Sequence, residues 1–239
     1  MIFNIDSRQN DKIKEVVKLS NTKYAKEKRL FKIEGFHALE MALKNDAVKW
    51  VFTTKEIKGI NKEISQYVIS KEIMEQISSA KSPQGVIVIC NYLKTKVISS
   101  KKVLCLDNVS DPGNLGTLLR TALAFGYNDV ILLGGCSQYN EKVLQSTQGA
   151  VFDLNIINDY DLSLLYDYEI LATEIKGSVN LTQVVPNEKH VLVLGNEAHG
   201  VSEEILKIAD KRIRIDIQNI ESLNVAIAGA IAMYSFSNK

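Results

Sequence analysis

With 239 residues, 46% of them hydrophobic and 24% charged, the chain has material for two modest domains built on substantial apolar cores. No apolar run is long enough to cross a bilayer, and Met1–Asp6 lacks the basic region and apolar stretch of a secretory signal, so a cytoplasmic protein is expected. Cys90, Cys105 and Cys136 stand far apart without Cys-x-x-Cys spacing, which argues against a disulfide framework or zinc site; we expect reduced core thiols and no metal.

The net charge of +1 conceals opposed halves. Residues 1–98 carry 18 Lys+Arg against 11 Asp+Glu, whereas residues 99–239 carry 11 against 17. A basic half attracts polyanions through phosphate contacts and counterion release, so the halves read as two domains with different partners. Nine basic residues lie between Arg8 and Lys32, opposed only by Asp11, Glu15 and Glu27. Ile13, Val16, Val17 and Leu19 form a short helical stripe that turns most of these charges to water. The choice between a solvated face and an RNA contact is even on charge alone; Lys23, Lys26, Lys28 and Arg29 are the candidates for RNA contact. Only Tyr24 and Phe31 interleave, so base stacking is weakly signalled.

Further along, Ile33–Leu43 reads as a helix, Val48–Thr53 and Gln66–Ile69 as strands, Ile73–Ile77 as helical and Gly85–Cys90 as a continuous apolar strand. The first ninety residues thus form a small α/β unit. The polar, basic stretch 92–102 holds the linker, giving a domain over 1–95, a linker at 96–100 and a second domain over 101–239. The second half opens on a buried-type strand, Val103–Asp107, followed by a Gly/Pro/Asn loop and a helix from Leu115 to Phe125. Val130–Leu133, Ile170–Ala172 and Val191–Leu194 read as strands, Lys142–Thr147 as helical and Arg212–Ile217 as the last strand. The closing helix Leu223–Phe236 is apolar nearly all round, which suits a core or a subunit interface. Strands alternating with helices predict a mainly parallel sheet.

Three loops each follow a strand and enter a helix, where parallel α/β sheets place their ligand sites. In Asp107–Ala122, Pro112 and Gly113 fix a turn, Asn114 is expected to cap the helix and present its amide, and Gly116 allows close approach of another backbone. Arg120 is expected on roughly the same helix face as Asn114, where the pair would suit phosphate or ribose recognition. In Leu194–Gly200, glycine would let an adenosine-like ligand lie against the main chain, and Glu197 could accept from hydroxyls or hold an arginine. His199 is of the residue type most often used as a general base but reads as a loop histidine. His37 and His190 have no identifiable partner and read as structural. In Ile215–Ala226, Glu221 and Ser222 are expected to begin the last helix with the Ser222 hydroxyl as cap, and Asn224 sets a polar amide beside an apolar face. Gly134-Gly135 reads as only a turn. There is no Gly-x-Gly-x-x-Gly, so an ordinary dinucleotide site is unsupported.

Taken together, these loops resemble the three sequence motifs of the SpoU/TrmH family of RNA 2′-O-methyltransferases, in the family's order. The likeness rests on Asn108, on Asp111-Pro112-Gly113-Asn114-Leu115-Gly116 with Arg120-Thr121-Ala122 and Phe125-Gly126, on Leu194-Gly195-Asn196-Glu197 with Gly200, and on Glu221-Ser222-Leu223-Asn224-Val225-Ala226. It runs from about residue 103 to the end. Residues 10–90 resemble more loosely the small RNA-binding domain, similar to certain ribosomal proteins, that precedes the catalytic domain in many members. Phe31-Lys32-Ile33-Glu34-Gly35 and Pro83-Gln84-Gly85-Val86 carry that second likeness. The resemblance implies the SPOUT fold: an α/β domain whose C-terminal segment threads a loop into a trefoil knot, a homodimer, and S-adenosylmethionine held in the knot. It implies that Gly195, Asn196, Ile215, Ile217 and Leu223 surround the cofactor, and that Asn114, Arg120, Glu197, Ser222 and Asn224 occupy catalytic or RNA-facing positions. One departure stands out. The family usually has Ile-Pro-Met followed by a glycine in the third loop, whereas here Asp216 replaces the proline and Ile215–Leu223 is one residue short.

A ribose 2′-hydroxyl is a poor nucleophile until its proton is drawn away, and positioning supplies a large part of the rate. The family's arginine is cast as a general base, yet guanidinium is essentially never deprotonated in proteins. We therefore read Arg120 as a bidentate clamp on the adjacent RNA phosphate, with a phosphate oxygen or another group receiving the proton. The expectation is an S-adenosylmethionine-dependent RNA 2′-O-ribose methyltransferase acting on large-subunit ribosomal RNA, with transfer RNA as runner-up. A single-stranded or looped target is expected because the hydroxyl must reach a closed site. Two rivals remain: a non-catalytic RNA-binding protein of the same fold, motivated by the altered third loop, and an unrelated nucleotide-binding α/β enzyme that uses the Asn114 helix start for phosphate.

Overall fold

The computed structural model describes residues 1–237, which form two units. One comprises residues 1–94 with 139–141, and the other the remaining described residues; Glu141, the first residue of a helix otherwise in the second unit, is counted with the first. No helix among the described residues is long and apolar enough to cross a membrane.

The first unit runs β1 (Ile2–Ile5), α1 (Asp11–Lys18), α2 (Thr22–Lys28), β2 (Leu30–Glu34), α3 (Phe36–Lys44), β3 (Val48–Thr53), β4 (Ser65–Ile69), α4 (Lys71–Ile77) and β5 (Val86–Asn91). Its five-stranded sheet has the order β1-β4-β3-β5-β2. The pairs β1–β4 and β4–β3 are parallel, whereas β5 runs antiparallel to both β3 and β2. Asn10 caps α1 by accepting from the Lys12 N–H at 2.9 Å. The helix then buries Ile13 and Val16 against Leu30, Phe52, Met74 and Ile87. Val17, expected in the same stripe, is 44% exposed. The expected helix Ile33–Leu43 is also corrected. Leu30–Glu34 is a strand paired with β5, Gly35 turns the chain at φ +98°, and the helix starts at Phe36. A short apolar run fits either period, and here pairing decides.

The second unit runs β6 (Lys102–Asp107), α5 (Pro112–Ala124), β7 (Asp129–Leu133), α6 (Glu141–Thr147), β8 (Asn155–Asn158), β9 (Glu169–Thr173), β10 (Val179–Asn180), β11 (His190–Leu194), α7 (Glu203–Ile208), β12 (Lys211–Arg214) and α8 (Val225–Ser237). Its seven strands are all parallel, in the order β10-β12-β9-β11-β6-β7-β8. The central strands are buried along their length, which is why their sequences are apolar runs rather than alternations. β12 stops at Arg214, short of the expected Ile217, and α8 starts at Val225 rather than Leu223. The freed segment 215–224 is a loop at the C-terminal end of the sheet.

His190, at the start of β11, is buried and not without partners. Its Nε2 lies 2.8 Å from the Tyr127 hydroxyl and its Nδ1 lies 2.8 Å from the Asn187 carbonyl. A carbonyl only accepts, so Nδ1 carries the proton and Nε2 accepts from Tyr127. Burial pushes the His190 pKa down, against the opposing pull of the Asn187 carbonyl. Tyr127→Phe leaves that buried nitrogen unsatisfied and should cost about 1–3 kcal/mol, read from the denaturant midpoint. Because the folded-state pKa is lowered, the stability tied to His190 should fall as pH drops below about 6.5, where the unfolded histidine takes up a proton.

Candidate active site

The loops after β6, β11 and β12 all leave the C-terminal ends of parallel strands, and β6 and β11 are neighbours in the sheet. In the first loop, Asp111 rather than Asn114 caps α5: its Oδ1 accepts the Asn114 N–H at 2.8 Å, with Pro112 in the first helical turn. That frees the Asn114 side chain, which reaches both other loops. Its Nδ2 donates to Glu197 Oε1 at 2.9 Å, and its Oδ1 accepts from Asn224 Nδ2 at 2.8 Å. Asn224, not Ser222, caps α8, its Oδ1 accepting from the Ala226 and Ile227 N–H groups at 2.9 and 3.2 Å. The three loops therefore converge on one hydrogen-bonded chain. Its direction is fixed at both ends, because helix N–H groups only donate and a carboxylate only accepts.

Glu197 also accepts from the main-chain N–H groups of Ser110 and Asp111, each at 3.2 Å. Burial alone would raise its pKa. The Asn114 amide and the N–H groups of Glu197, Ser110 and Asp111 outweigh that, holding the carboxyl below the usual range. Asn196 braces the same loop: its Oδ1 accepts from Ala198 and His199 N–H at 2.9 and 3.2 Å, and its Nδ2 donates to the Asn108 carbonyl at 2.9 Å.

Several expectations change. A Cβ at Gly195 would lie 2.0 Å from the Gly200 carbonyl carbon, so the absent side chain makes room for the loop's own returning main chain. Gly116 does allow close approach, to Ser146 and the Val143 carbonyl of α6. Gly135 is more than a turn residue, since a Cβ there would meet the Val109 carbonyl oxygen at 2.3 Å; it lets the loop after β7 abut the loop after β6. Arg120 lies in α5 with an exposed side chain that forms no hydrogen bond or ion pair among the described residues. It follows Asn114 by six positions, which at 3.6 residues per turn is about 240° around the helix, so the two do not share a face. His199 is exposed and, among the described residues, engages only its main-chain N–H. Glu221 and Ser222 are exposed and make no hydrogen bond among the described residues. Lys23, Lys26, Lys28 and Arg29 are all exposed in the first unit, with the Arg29 guanidinium 5.8 Å from the Tyr92 ring centroid and the Lys28 ammonium 5.7 Å from that of Tyr24.

One contributor was missed in the sequence. Asp107, buried at the end of β6, accepts from the Ser202 N–H at 2.7 Å and from Asn108 Nδ2 at 3.0 Å, tying the start of α7 to the first loop. An acidic residue closing an apolar strand was the available signal. In the third loop Ile215, Ile217 and Leu223 are half-buried, while the main chain of residues 217–223 forms no hydrogen bond among the described residues. Aliphatic side chains beside open N–H and C=O groups fit an adenine ring, whose faces are apolar and whose edge donates and accepts.

The lowered Glu197 pKa gives a signed expectation. Stability from this carboxylate is full above the unfolded value and is lost as pH falls through the folded one. Glu197→Gln should therefore lower the melting temperature at neutral pH, with the gap to the parent protein closing as pH falls below about 4.3.

A family model described as the SpoU rRNA Methylase family matches residues 101–234, and one described as an MRM3-like substrate binding domain matches residues 10–88. The chain is 31% identical over 241 residues to the 23S rRNA (guanosine(2553)-2′-O)-methyltransferase RlmP of Bacillus subtilis, covering 96% of this chain and 97% of that one. It is 35% identical over 143 residues to the tRNA (guanosine(18)-2′-O)-methyltransferase of Aquifex aeolicus, covering 55% of this chain and 66% of that one. Its fold matches the AdoMet-bound rRNA methyltransferase from Sinorhizobium meliloti with a TM-score of 0.91 at 26% identity, covering 99% of this chain and 98% of that one. With its loop motifs, its parallel sheet and a family match spanning more than half its length, the chain belongs to the SpoU rRNA methylase family.

Proposed function

We propose that this protein methylates a ribose 2′-hydroxyl of large-subunit ribosomal RNA at the junction of its three C-terminal loops. As a SpoU-family protein it is an RNA methyltransferase that uses S-adenosylmethionine. The observation that carries the reading is the chain Glu197–Asn114–Asn224, which joins all three loops. The ribosomal substrate is supported by the end-to-end likeness to the RlmP of Bacillus subtilis; transfer RNA, the substrate named for the Aquifex aeolicus relative, is the second reading.

In this reading Gly195, Asn196, Ile215, Ile217 and Leu223 hold the cofactor, which when bound supplies an electrophilic sulfonium methyl. Glu197 and Asn224 orient the Asn114 amide toward the ribose. Arg120, whose side chain has no partner among the described residues, grips the RNA phosphate beside the target as a planar fork, and the Ser222 hydroxyl faces the RNA backbone. Lys23, Lys26, Lys28 and Arg29 gather RNA in the first unit, reading 1–95 as the substrate-binding domain, 96–100 as linker and 101–239 as the methyltransferase domain. A cytoplasmic homodimer completes the proposal. Its support is the stripe Ile227, Ile231 and Tyr234, 53%, 39% and 61% exposed at spacings of four and three along α8. A knotted C-terminus is supported by the insertion of β12 between β9 and β10.

Mapping 2′-O-methyl sites in total RNA with and without the gene should show one large-subunit ribosomal site disappearing. Loss of a transfer-RNA site instead would favour the second reading, and no lost site at all would favour a non-catalytic RNA-binding protein. Arg120→Lys should lower kcat/KM for RNA by roughly tenfold or more, since a point charge replaces a bidentate fork. Near-full activity at neutral pH would count against the clamp.

A further inference from the structure

Asp216, the residue standing where the family usually has proline, is engaged on both carboxylate oxygens. Oδ1 accepts from Arg214 Nε at 2.8 Å, and Oδ2 accepts from Asn180 Nδ2. Its donors belong to two adjacent strands, because Arg214 ends β12 and pairs in register with Asn180 of the edge strand β10. Each donor is fixed in turn. Arg214 Nη1 donates to the Ser178 carbonyl. Asn180 Oδ1 accepts from the Thr182 N–H and hydroxyl at 2.7 and 2.6 Å, which caps the following turn and leaves the amide nitrogen to face Asp216.

The loop from 215 to 224 has two such anchors. At its far end, Asn224 is tied to α8 and to Asn114. At its near end the ties are those of Asp216, and between them residues 217–223 make no hydrogen bond among the described residues. A segment without internal hydrogen bonds takes its geometry from its ends. Proline would fix the near end through its ring, holding φ near −65°. A carboxylate does so by accepting from two donors on either side.

We propose that Asp216 is a positioning residue for cofactor binding: with Asn180 and Arg214 it forms a clasp that presets Ile215 and Ile217 for the adenosine portion of S-adenosylmethionine. The clasp rests on the cofactor reading given above, and its test separates the two. S-adenosylhomocysteine is titrated calorimetrically into the full-length parent protein, D216A, D216P, N180D and the N180D/D216N double variant. Amide hydrogen exchange at 217–223 is followed in the same proteins without ligand.

D216A and N180D should each bind roughly fivefold more weakly, as expected for loss of partly exposed charge-assisted bonds, and exchange faster at 217–223 with the melting temperature nearly unchanged. N180D keeps the acceptor for Thr182 but sets carboxylate against carboxylate. The double variant, which exchanges amide and carboxylate, should recover both affinity and protection, and D216P should recover affinity. Parent-like affinity and exchange in D216A overturns the clasp, as does a double variant no better than its parents. Failure of the parent protein to bind S-adenosylhomocysteine overturns the cofactor reading, while the exchange rates still decide whether Asp216 sets the loop.

Discussion

The candidate site depends on a single directed run of hydrogen bonds. It begins at the N–H groups that open α8, passes through the Asn224 and Asn114 amides, and ends on the Glu197 carboxylate. Each amide could in principle face either way, but donors at one end and an ionised acceptor at the other leave one consistent arrangement. The negative charge is therefore structural as well as chemical. It also draws in the N–H groups of Ser110 and Asp111, so one side chain from the second loop sets the shape of the first. Charge-assisted bonds of this kind are stronger than neutral ones, which suits a function that demands fixed loops rather than a fixed core.

The same economy governs the loops' approach to one another. Asp107 holds the start of α7 from the end of β6, and Gly195 gives its missing side chain's space to the returning main chain at Gly200. These contacts are internal to the protein, so the rigidity they confer exists before any ligand arrives. Preformed geometry of this sort reduces the ordering cost of binding. Arg120 and Ser222 are the opposite case, polar side chains without a partner among the described residues, and on the proposed reading they meet the RNA.

Much of the parallel sheet is legible in the sequence, because strands buried on both faces must be apolar runs; Val48–Thr53 in the other sheet reads equally well. The three motif loops are legible as well, through their glycines, amides and acids. Caps are less so. Asp111 and Asn114, or Ser222 and Asn224, are equally competent cap residues, and the choice falls to tertiary partners more than 80 positions away. The strand Leu30–Glu34 was hidden for a related reason: its apolar residues suit a helix until β5 supplies a ladder. β10, with two residues, carries no periodicity at all, and the buried role of Asp107 depends on Ser202, 95 positions on.

The strand order imposes a sequence of assembly. Among the described residues β10 pairs only with β12, yet it precedes β12 in the chain by some thirty residues, and β9, its immediate predecessor, lies on the far side of β12. Residues 179–180 thus have no neighbour in the sheet until Lys211–Arg214 slide into the gap. Such non-local pairing is slow to form. During synthesis the edge of the sheet cannot be fixed before β12 has emerged, nor the loop after Arg214 before α8 has followed it, so a nascent chain can pair its central strands before the surface on which its chemistry relies.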